Sequence, residues 1–304
     1  MPYKAVIFDI GGVVVGSPIE GVGAAERRYG LPKHWINAAI TAMGDDGPFQ
    51  RFERSEISQD DFYVEFGRRL SDVASSNDAY RKYCKRVKIP CPTLPEAVKI
   101  DGKELWAMMM EPATEPDELV VNAINVLRAA FPLLNSASPG PASKRYKIAA
   151  LTNNFTPAGA VPSTRSPNPA ASFKPVDAKQ LRRSLKEGAG DEKGAGNDLM
   201  RALFDDYIES CVEGLRLNAP LDKNNFGDRK PDPRFFQLAL DRLDAKAEET
   251  VFLDDIGHNL QAAAKMGIKT IRVKIGESRQ ALEELERVLG MDLLKAGTPT
   301  QSKL

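Results

Sequence analysis

The rhythm of apolar and polar positions changes along this 304-residue chain. The opening stretch "KAVIFDIGGVVVG" begins with a short apolar run at residues 4–8, which predicts a buried strand. Asp9 stands at the carboxyl end of that strand, followed by a glycine pair and a second apolar run. From there to about residue 115 the pattern is helical. "EGVGAAERRYG" carries its charges along one side, and "HWINAAITAM" repeats apolar residues at helical spacing. Phe49, Phe52, Ile57, Phe62 and Phe66 recur at intervals that suit helices packed together. Ser58, followed by acids, is placed to cap the helix that carries Phe62 and Phe66. Pro112 and Pro116 punctuate the end of the stretch.

Beyond Asp117 strands and helices alternate. "PDELVVNAINVLRAAF" predicts an amphipathic helix, "KIAALTNN" a buried strand and "DDYIESC" another short strand. "PDPRFFQLALDRL" predicts a helix with proline in its first turn, and "ETVFLDD" a strand. "NLQAAAKMG" is a helix closed by glycine, "IKTIRV" a strand, and "SRQALEELERVLG" a last helix closed the same way. This alternation predicts an α/β fold, a doubly wound parallel sheet interrupted by an all-helical insertion. Residues 1–15 and 116–304 then form the core, and 16–115 the insertion. Two stretches stand apart. Residues 135–145 are a Ser-, Pro- and Ala-rich loop, and residues 155–198 are dominated by Pro, Ser, Ala and Gly around a short basic helical patch at 179–186. The longer one is either a disordered insertion or a mobile lid, since it starts just past a strand end where ligands bind.

Composition narrows the partners. With 42% hydrophobic and 28% charged residues the chain has the make-up of a soluble globular protein. Forty-two Lys and Arg balance 42 Asp and Glu, so no basic field draws it to nucleic acid or to an anionic membrane. No run of 18 apolar residues exists, so no membrane span is expected. Asp9 interrupts the first apolar stretch and no small-residue cleavage site follows, which argues against a secretory signal. Cys84, Cys91 and Cys211 read as reduced thiols rather than a disulfide framework. His34 and His258 are too few for a histidine-rich zinc site. The sequence finishes "TPTQSKL", and Ser302-Lys303-Leu304 is the tripeptide of a peroxisomal address. It implies an import receptor as partner and a peroxisomal location, and leaves room for a cytosolic pool.

The chemistry gathers at the strand ends, where open parallel sheets bind ligands. Asp9 ends the first strand, Thr152-Asn153-Asn154 the second, and Asp254-Asp255 the strand of "VFLDDIG"; Lys230 in "FGDRKPDP" precedes a helix N-terminus. Three carboxylates, a hydroxyl, an amide and a lysine therefore share one edge. That set suits a hard divalent cation, Mg2+, together with a phosphate. Thr152 and nearby backbone amides can donate to phosphate oxygens, Lys230 supplies a fixed positive charge, and Asp9 can attack phosphorus to form an aspartyl-phosphate.

The segments "VIFDIGGV", "ALTNN", "GDRKPDP" and "VFLDDIGHN" resemble, in order, the four motifs of the haloacid dehalogenase-like (HAD) superfamily. The helical stretch matches the cap that one branch of it carries after the first motif. "DRKPDPRFFQLALDRL" and "VFLDDIGHNLQAAAKMGIKTIRV" are similar to the N-terminal phosphatase domain of soluble epoxide hydrolases and to the related domain of an acyl-CoA dehydrogenase family. The resemblance implies that Asp9 is nucleophile and magnesium ligand. It gives Gly11 a ligand role through its backbone carbonyl, has Asp254 and Asp255 hold the metal, and puts Thr152, Asn153 and Lys230 on the transferring phosphoryl group. The cap would select a small phosphorylated substrate. Phe49, Arg51 and Phe52 are its candidates, although the two phenylalanines read first as cap core.

The chain departs from the pattern at one position. Phosphatases of the superfamily usually carry a second aspartate two residues after the nucleophile, which protonates the leaving oxygen and then activates water. Here that residue is Gly11. A glycine keeps the carbonyl but loses general acid–base help, typically worth about 10²–10⁴-fold. A slow phosphatase, a phosphate-binding pseudoenzyme or regulatory module in peroxisomes, and a phosphoryl transferase with a non-water acceptor all follow from this. Metal-free dehalogenase chemistry is disfavoured by the intact Asp254-Asp255 pair. Epoxide hydrolysis is not expected, because in the two-domain relatives it belongs to an α/β-hydrolase domain, and no G-x-S-x-G-like elbow occurs here. His258, at a helix start, reads as a surface or capping residue rather than a substitute base.

Overall fold

A computed structural model describes residues 3–53, 56–129, 146–155, 174–188, 198–216 and 229–294. Strand β1 (Ala5–Phe8) leads into helices α1 (Pro18–Arg28), α2 (Trp35–Ala42), α3 (Pro48–Glu53), α4 (Gln59–Leu70), α5 (Val73–Val87) and α6 (Gly102–Met110). There follow α7 (Glu118–Ala129), β2 (Lys147–Thr152), α8 (Ala178–Gly188), α9 (Asp198–Ala202), β3 (Asp206–Glu209) and α10 (Ser210–Arg216). The chain closes with α11 (Pro233–Leu243), β4 (Thr250–Asp254), α12 (Gly257–Lys265), β5 (Lys269–Arg272) and α13 (Ser278–Leu289).

The strands form one parallel sheet in the order β3-β2-β1-β4-β5. Because side chains alternate across a strand, each strand serves two cores. Val6, Phe8, Ile148, Ala150, Val251 and Leu253 face one side, under α7, α8 and α13. Ala5, Ile7, Ala149, Leu151 and Phe252 face the other, under α11 and α12. Both faces are covered, so the strands can be apolar throughout, and the doubly wound α/β reading of the sequence holds. The chain builds outward from β1 to β3, then returns to the opposite side of β1 for β4. The reversal leaves a crevice at the carboxyl ends of β1 and β4, the usual ligand position in such sheets.

Helices α1 to α6 have an apolar cluster of their own. Trp35, Ile36, Phe62, Phe66, Leu70 and Leu105 are fully buried in it. Ser58 accepts from the Asp61 backbone N–H at 3.1 Å and caps α4 as the sequence indicates. Phe52 is buried in this cluster and Phe49 partly so, while Arg51 pairs with Glu65 at 3.0 Å. Two contacts tie the cluster to the sheet. Phe155, just past β2, stacks on Phe52 at 5.3 Å between ring centroids and meets Trp106 edge-on at 4.8 Å. Arg229 pairs with the buried Glu53 of α3.

The stretch 155–198 holds more structure than its composition suggests. Val176, Ala178 and Leu181 are buried against the sheet and α7. Their spacing gives α8 an apolar side, so the basic patch is the outer face of a packed helix. The short helices α9 and α10 carry no sequence pattern long enough to announce them. Residues 135–145, like Ser302, Lys303 and Leu304, lie outside the described residues. Among the described residues, no helix is long and apolar enough to cross a membrane, and Cys84, Cys91 and Cys211 are free thiols.

Candidate active site

Parallel pairing brings the strand ends to one edge. Phe8 lies in register with Ala150 and with Leu253, so Asp9 follows β1 between the ends of β2 and β4. The Asp9 backbone N–H donates to the Leu253 carbonyl at 2.9 Å, which fixes it there. Its Oδ1 accepts from the Ile10 N–H at 2.7 Å and from Lys230 Nζ at 2.7 Å, so both bonds go to one oxygen and Oδ2 stays outside them.

Lys230 comes from the loop ahead of α11. Asp232 caps that helix by accepting from the Arg234 N–H at 2.9 Å, with Pro233 at its first position. The lysine is 1% exposed and reaches Asp254 Oδ2 at 2.9 Å as well as Asp9. Asn153 holds the lysine's backbone on both sides. Its Nδ2 donates to the Lys230 carbonyl at 3.0 Å and its Oδ1 accepts from the Lys230 N–H at 2.8 Å. Thr152, also buried, stands on β2 two residues past Ala150, the partner of Phe8.

Asp254 is fully buried and accepts from the Ile256 N–H at 2.7 Å and from Asn259 Nδ2 at 3.1 Å. Asp255 accepts from Ser17 Oγ at 3.2 Å through Oδ2, while its buried Oδ1 has no protein partner. Ser17 is also the N-cap of α1, in a capping box with Glu20. Gly12 makes room for Asp255. It has φ +79°, and a Cβ there would fall 2.3 Å from Asp255 Oδ2. Gly11 is under no such demand, since it has no left-handed φ and a Cβ would meet only the Pro18 ring, at 3.3 Å. His258 is exposed in the first turn of α12, as its position in the sequence suggests.

The site thus brings together Asp9, Lys230, Asp254 and Asp255, with Thr152 and Asn153 on the neighbouring strand end. Oxygens of the three acids lie within 4.8 Å of one another. One ammonium against three carboxylates leaves a surplus of negative charge, which disfavours ionisation of the acids. Burial pushes Asp9 up to about 8, with Asp254 and Asp255 adding to the rise and Lys230 opposing it. Burial and the charge of Asp254 push Asp255 up to about 6. Burial alone would lower Lys230, but Asp254 and Asp9 outweigh it and hold the ammonium above its ordinary range. A buried, underneutralised acid cluster with one orphaned oxygen has the donor chemistry of a site for a hard divalent cation.

Sequence reading passed over Ser17 and Asn259, which support two of the three acids. The S-x-x-E capping box "SPIE" marks Ser17 as a helix start, but nothing local connects it to Asp255, 238 residues away.

Fold and site together define a hydrolase scaffold with an acid centre at its switch point. The chain belongs to the haloacid dehalogenase-like hydrolase family, whose description matches residues 3–267. It is 32% identical over 291 residues to mouse (Mus musculus) acyl-CoA dehydrogenase family member 10, covering 96% of this chain and 20% of that protein. It is 26% identical over 299 residues to bifunctional epoxide hydrolase 2 of Sus scrofa, covering 97% of this chain and 40% of that protein. The chain therefore spans about a fifth and two fifths of these relatives. Among solved structures, a HAD family enzyme of Bacteroides thetaiotaomicron in complex with magnesium and inorganic phosphate aligns at TM-score 0.45 and 15% identity, over 92% of this chain and 98% of that one.

Proposed function

We propose that the protein is a magnesium-dependent phosphatase acting on a small phosphorylated metabolite through an aspartyl-phosphate on Asp9. The observation that carries this reading is the arrangement of Asp9. One carboxylate oxygen is held by Lys230 and Ile10 while the other stands outside those bonds, beside two further acids. In the reaction Asp9 Oδ2 forms a bond to phosphorus and the bond from phosphorus to the leaving oxygen breaks, that oxygen taking a proton from water. Water then attacks the same phosphorus, releases phosphate and restores the carboxylate. Lys230 offsets charge on the phosphoryl oxygens, and Thr152 and the backbone N–H of Asn153 donate to them. The Asn153 side chain orients Lys230. Asp9, Asp254, Asp255 and the Gly11 carbonyl would hold a magnesium ion, which when bound draws negative charge from the phosphoryl group.

Gly11 supplies no acid or base, so both half-reactions are slow. The same glycine favours a second reading, a phosphate-binding module with little turnover. We take residues 16–115 as the cap that covers the site, and Ser302-Lys303-Leu304 as the peroxisomal address. Likeness to part of an epoxide hydrolase is no support for epoxide opening here, because the residues at this site suit phosphoryl transfer.

The test is p-nitrophenol release from p-nitrophenyl phosphate at stoichiometric enzyme with magnesium, with Asp9→Asn as control. Sustained, Asp9-dependent turnover supports the phosphatase. One equivalent and then a stall shows an aspartyl-phosphate that water does not clear, which favours a transferase or switch. No release sinks the catalytic reading and leaves the binding module. The address is tested separately: a fluorescent fusion ending in the native tail should be punctate, and removing Leu304 should disperse it. Unchanged puncta would refute the address.

A further inference from the structure

Behind the phosphate-binding strand end lies a second set of buried charges that the proposed reaction does not use. Glu209, 3% exposed, ends β3 in register with Thr152. Its Oε1 accepts from Asn154 Nδ2 at 2.7 Å, and its Oε2 pairs with Arg201 of α9, itself 5% exposed. The Arg201 guanidinium lies over the Tyr207 ring, 4.8 Å from its centroid. Ser210 completes the set. Its hydroxyl accepts from the Asn154 N–H at 3.0 Å and lies 3.3 Å from the Asn154 carbonyl. Asn154 Oδ1 in turn accepts from the Phe155 N–H at 2.9 Å. Backbone and side chain of Asn154 are thus both held.

A buried ion pair is poor at stabilising a fold, because desolvating both charges cancels most of their attraction. It does fix geometry, since each partner must stay where the other meets it. The continuity here points to what is fixed. Arg201 holds Glu209, Glu209 holds Asn154, the adjoining Asn153 holds the Lys230 backbone, and Lys230 holds Asp9. We propose that Arg201 and Glu209 are positioning residues. Through Asn154 they set the place of the Thr152–Asn154 segment, and with it the affinity for phosphoryl oxygens. This rests on the phosphatase reading above, since it presumes that the segment faces a phosphoryl group. The counter-cation comes from α9, beyond the low-complexity stretch, so that part of the chain contributes to the site indirectly.

The experiment is calorimetric binding of inorganic phosphate, at saturating magnesium, to the full chain and its variants, with magnesium affinity and thermal midpoint measured on the same samples. Asn154→Ala should weaken phosphate about tenfold, the effect of one lost hydrogen bond of this kind, while magnesium affinity stays within about twofold. The double variant E209Q/R201M keeps an acceptor for Asn154 but loses the ion pair that fixes its place, so it should weaken phosphate binding severalfold, between the parent and Asn154→Ala, with magnesium affinity again within about twofold. A purely structural role would lower the thermal midpoint and leave phosphate binding intact, which would overturn the proposal. Equal loss of magnesium and phosphate binding would overturn it too, by showing general loosening. If the unmodified chain binds no phosphate, the phosphatase reading fails and takes this inference with it. If it binds phosphate and Asn154→Ala binds it equally well, only the inference fails.

Discussion

Gly11 faces Pro18 across the start of the helical insertion, and a Cβ on Gly11 would lie 3.3 Å from the Pro18 Cδ. The contact is tight but single, and the Gly11 backbone is not in the left-handed region. The missing carboxylate is therefore a matter of chemistry rather than space. Gly11→Asp should fold and should raise steady-state turnover of a poorly activated alkyl phosphate by about 10²-fold, the low end of what general acid–base help contributes. Pro18→Ala in the same chain should relieve residual crowding. A well-folded Gly11→Asp with parental rates would show that the acid is not what limits this site.

Three acids around one lysine should make stability depend on the metal. Magnesium at about 100 times its dissociation constant stabilises a folded protein by about 2.7 kcal/mol, read as a rise in melting temperature that chelator reverses. Asp255→Asn removes the acid whose Oδ1 has no protein partner and should abolish most of that rise. Equal shifts in parent and variant would place the ion elsewhere.

The pH profile of the metal-free protein follows from Asp9 and Asp255. Burial raises both, to about 8 and about 6, above the ordinary carboxylate value. A raised acid holds its proton in the folded state after the unfolded chain has lost it. Its contribution is complete below the ordinary carboxylate range and is lost as pH rises through the folded value. In chelator the melting temperature should therefore fall between about pH 4 and pH 8, and magnesium should flatten that fall. A metal-free profile that rises across this range would contradict the picture of a surplus negative charge.

Phe155 joins the sheet side to the helical cluster by stacking on Phe52 and meeting Trp106. Phe155→Ala should cost about 2–3 kcal/mol, below the range for a fully buried phenylalanine because Phe155 is half-buried. Trp35 is fully buried and Trp106 half-buried, so acrylamide quenching reports chiefly on Trp106 and should increase in the variant. Unaltered quenching would mean that the rings on the helical side close up without Phe155.

Much of this arrangement is legible in the chain because strand ends and motif residues coincide. Asp9, Thr152, Lys230 and Asp254 each sit where a local pattern changes from strand to turn or from loop to helix, and parallel pairing then brings them together. What local pattern cannot show is which side chain supports which. Ser17 and Asp255 meet across the whole molecule, and Arg201 finds Glu209 only because α9 packs beside β3. The helix α8 is legible as the basic helical patch at 179–186, but its packing is obscured for another reason. Its neighbours in sequence are rich in Pro, Ser and Gly, and their composition masks the few apolar residues that bury it.

Strand order also governs how the molecule is made. β1 is the central strand, yet Ala5 pairs with Lys147 on one edge and with Thr250 on the other. At a synthesis rate of about 5–20 residues per second, the second edge waits about 12–50 s for its partner. The helices that follow β1 meet chiefly one another, α1 with α6, α2 with α5 and α4 with α6, contacts that all close within the first 110 residues. A nascent chain can therefore complete its helical part while the apolar strand beside Asp9 still has an open edge, so the cluster of three acids assembles last.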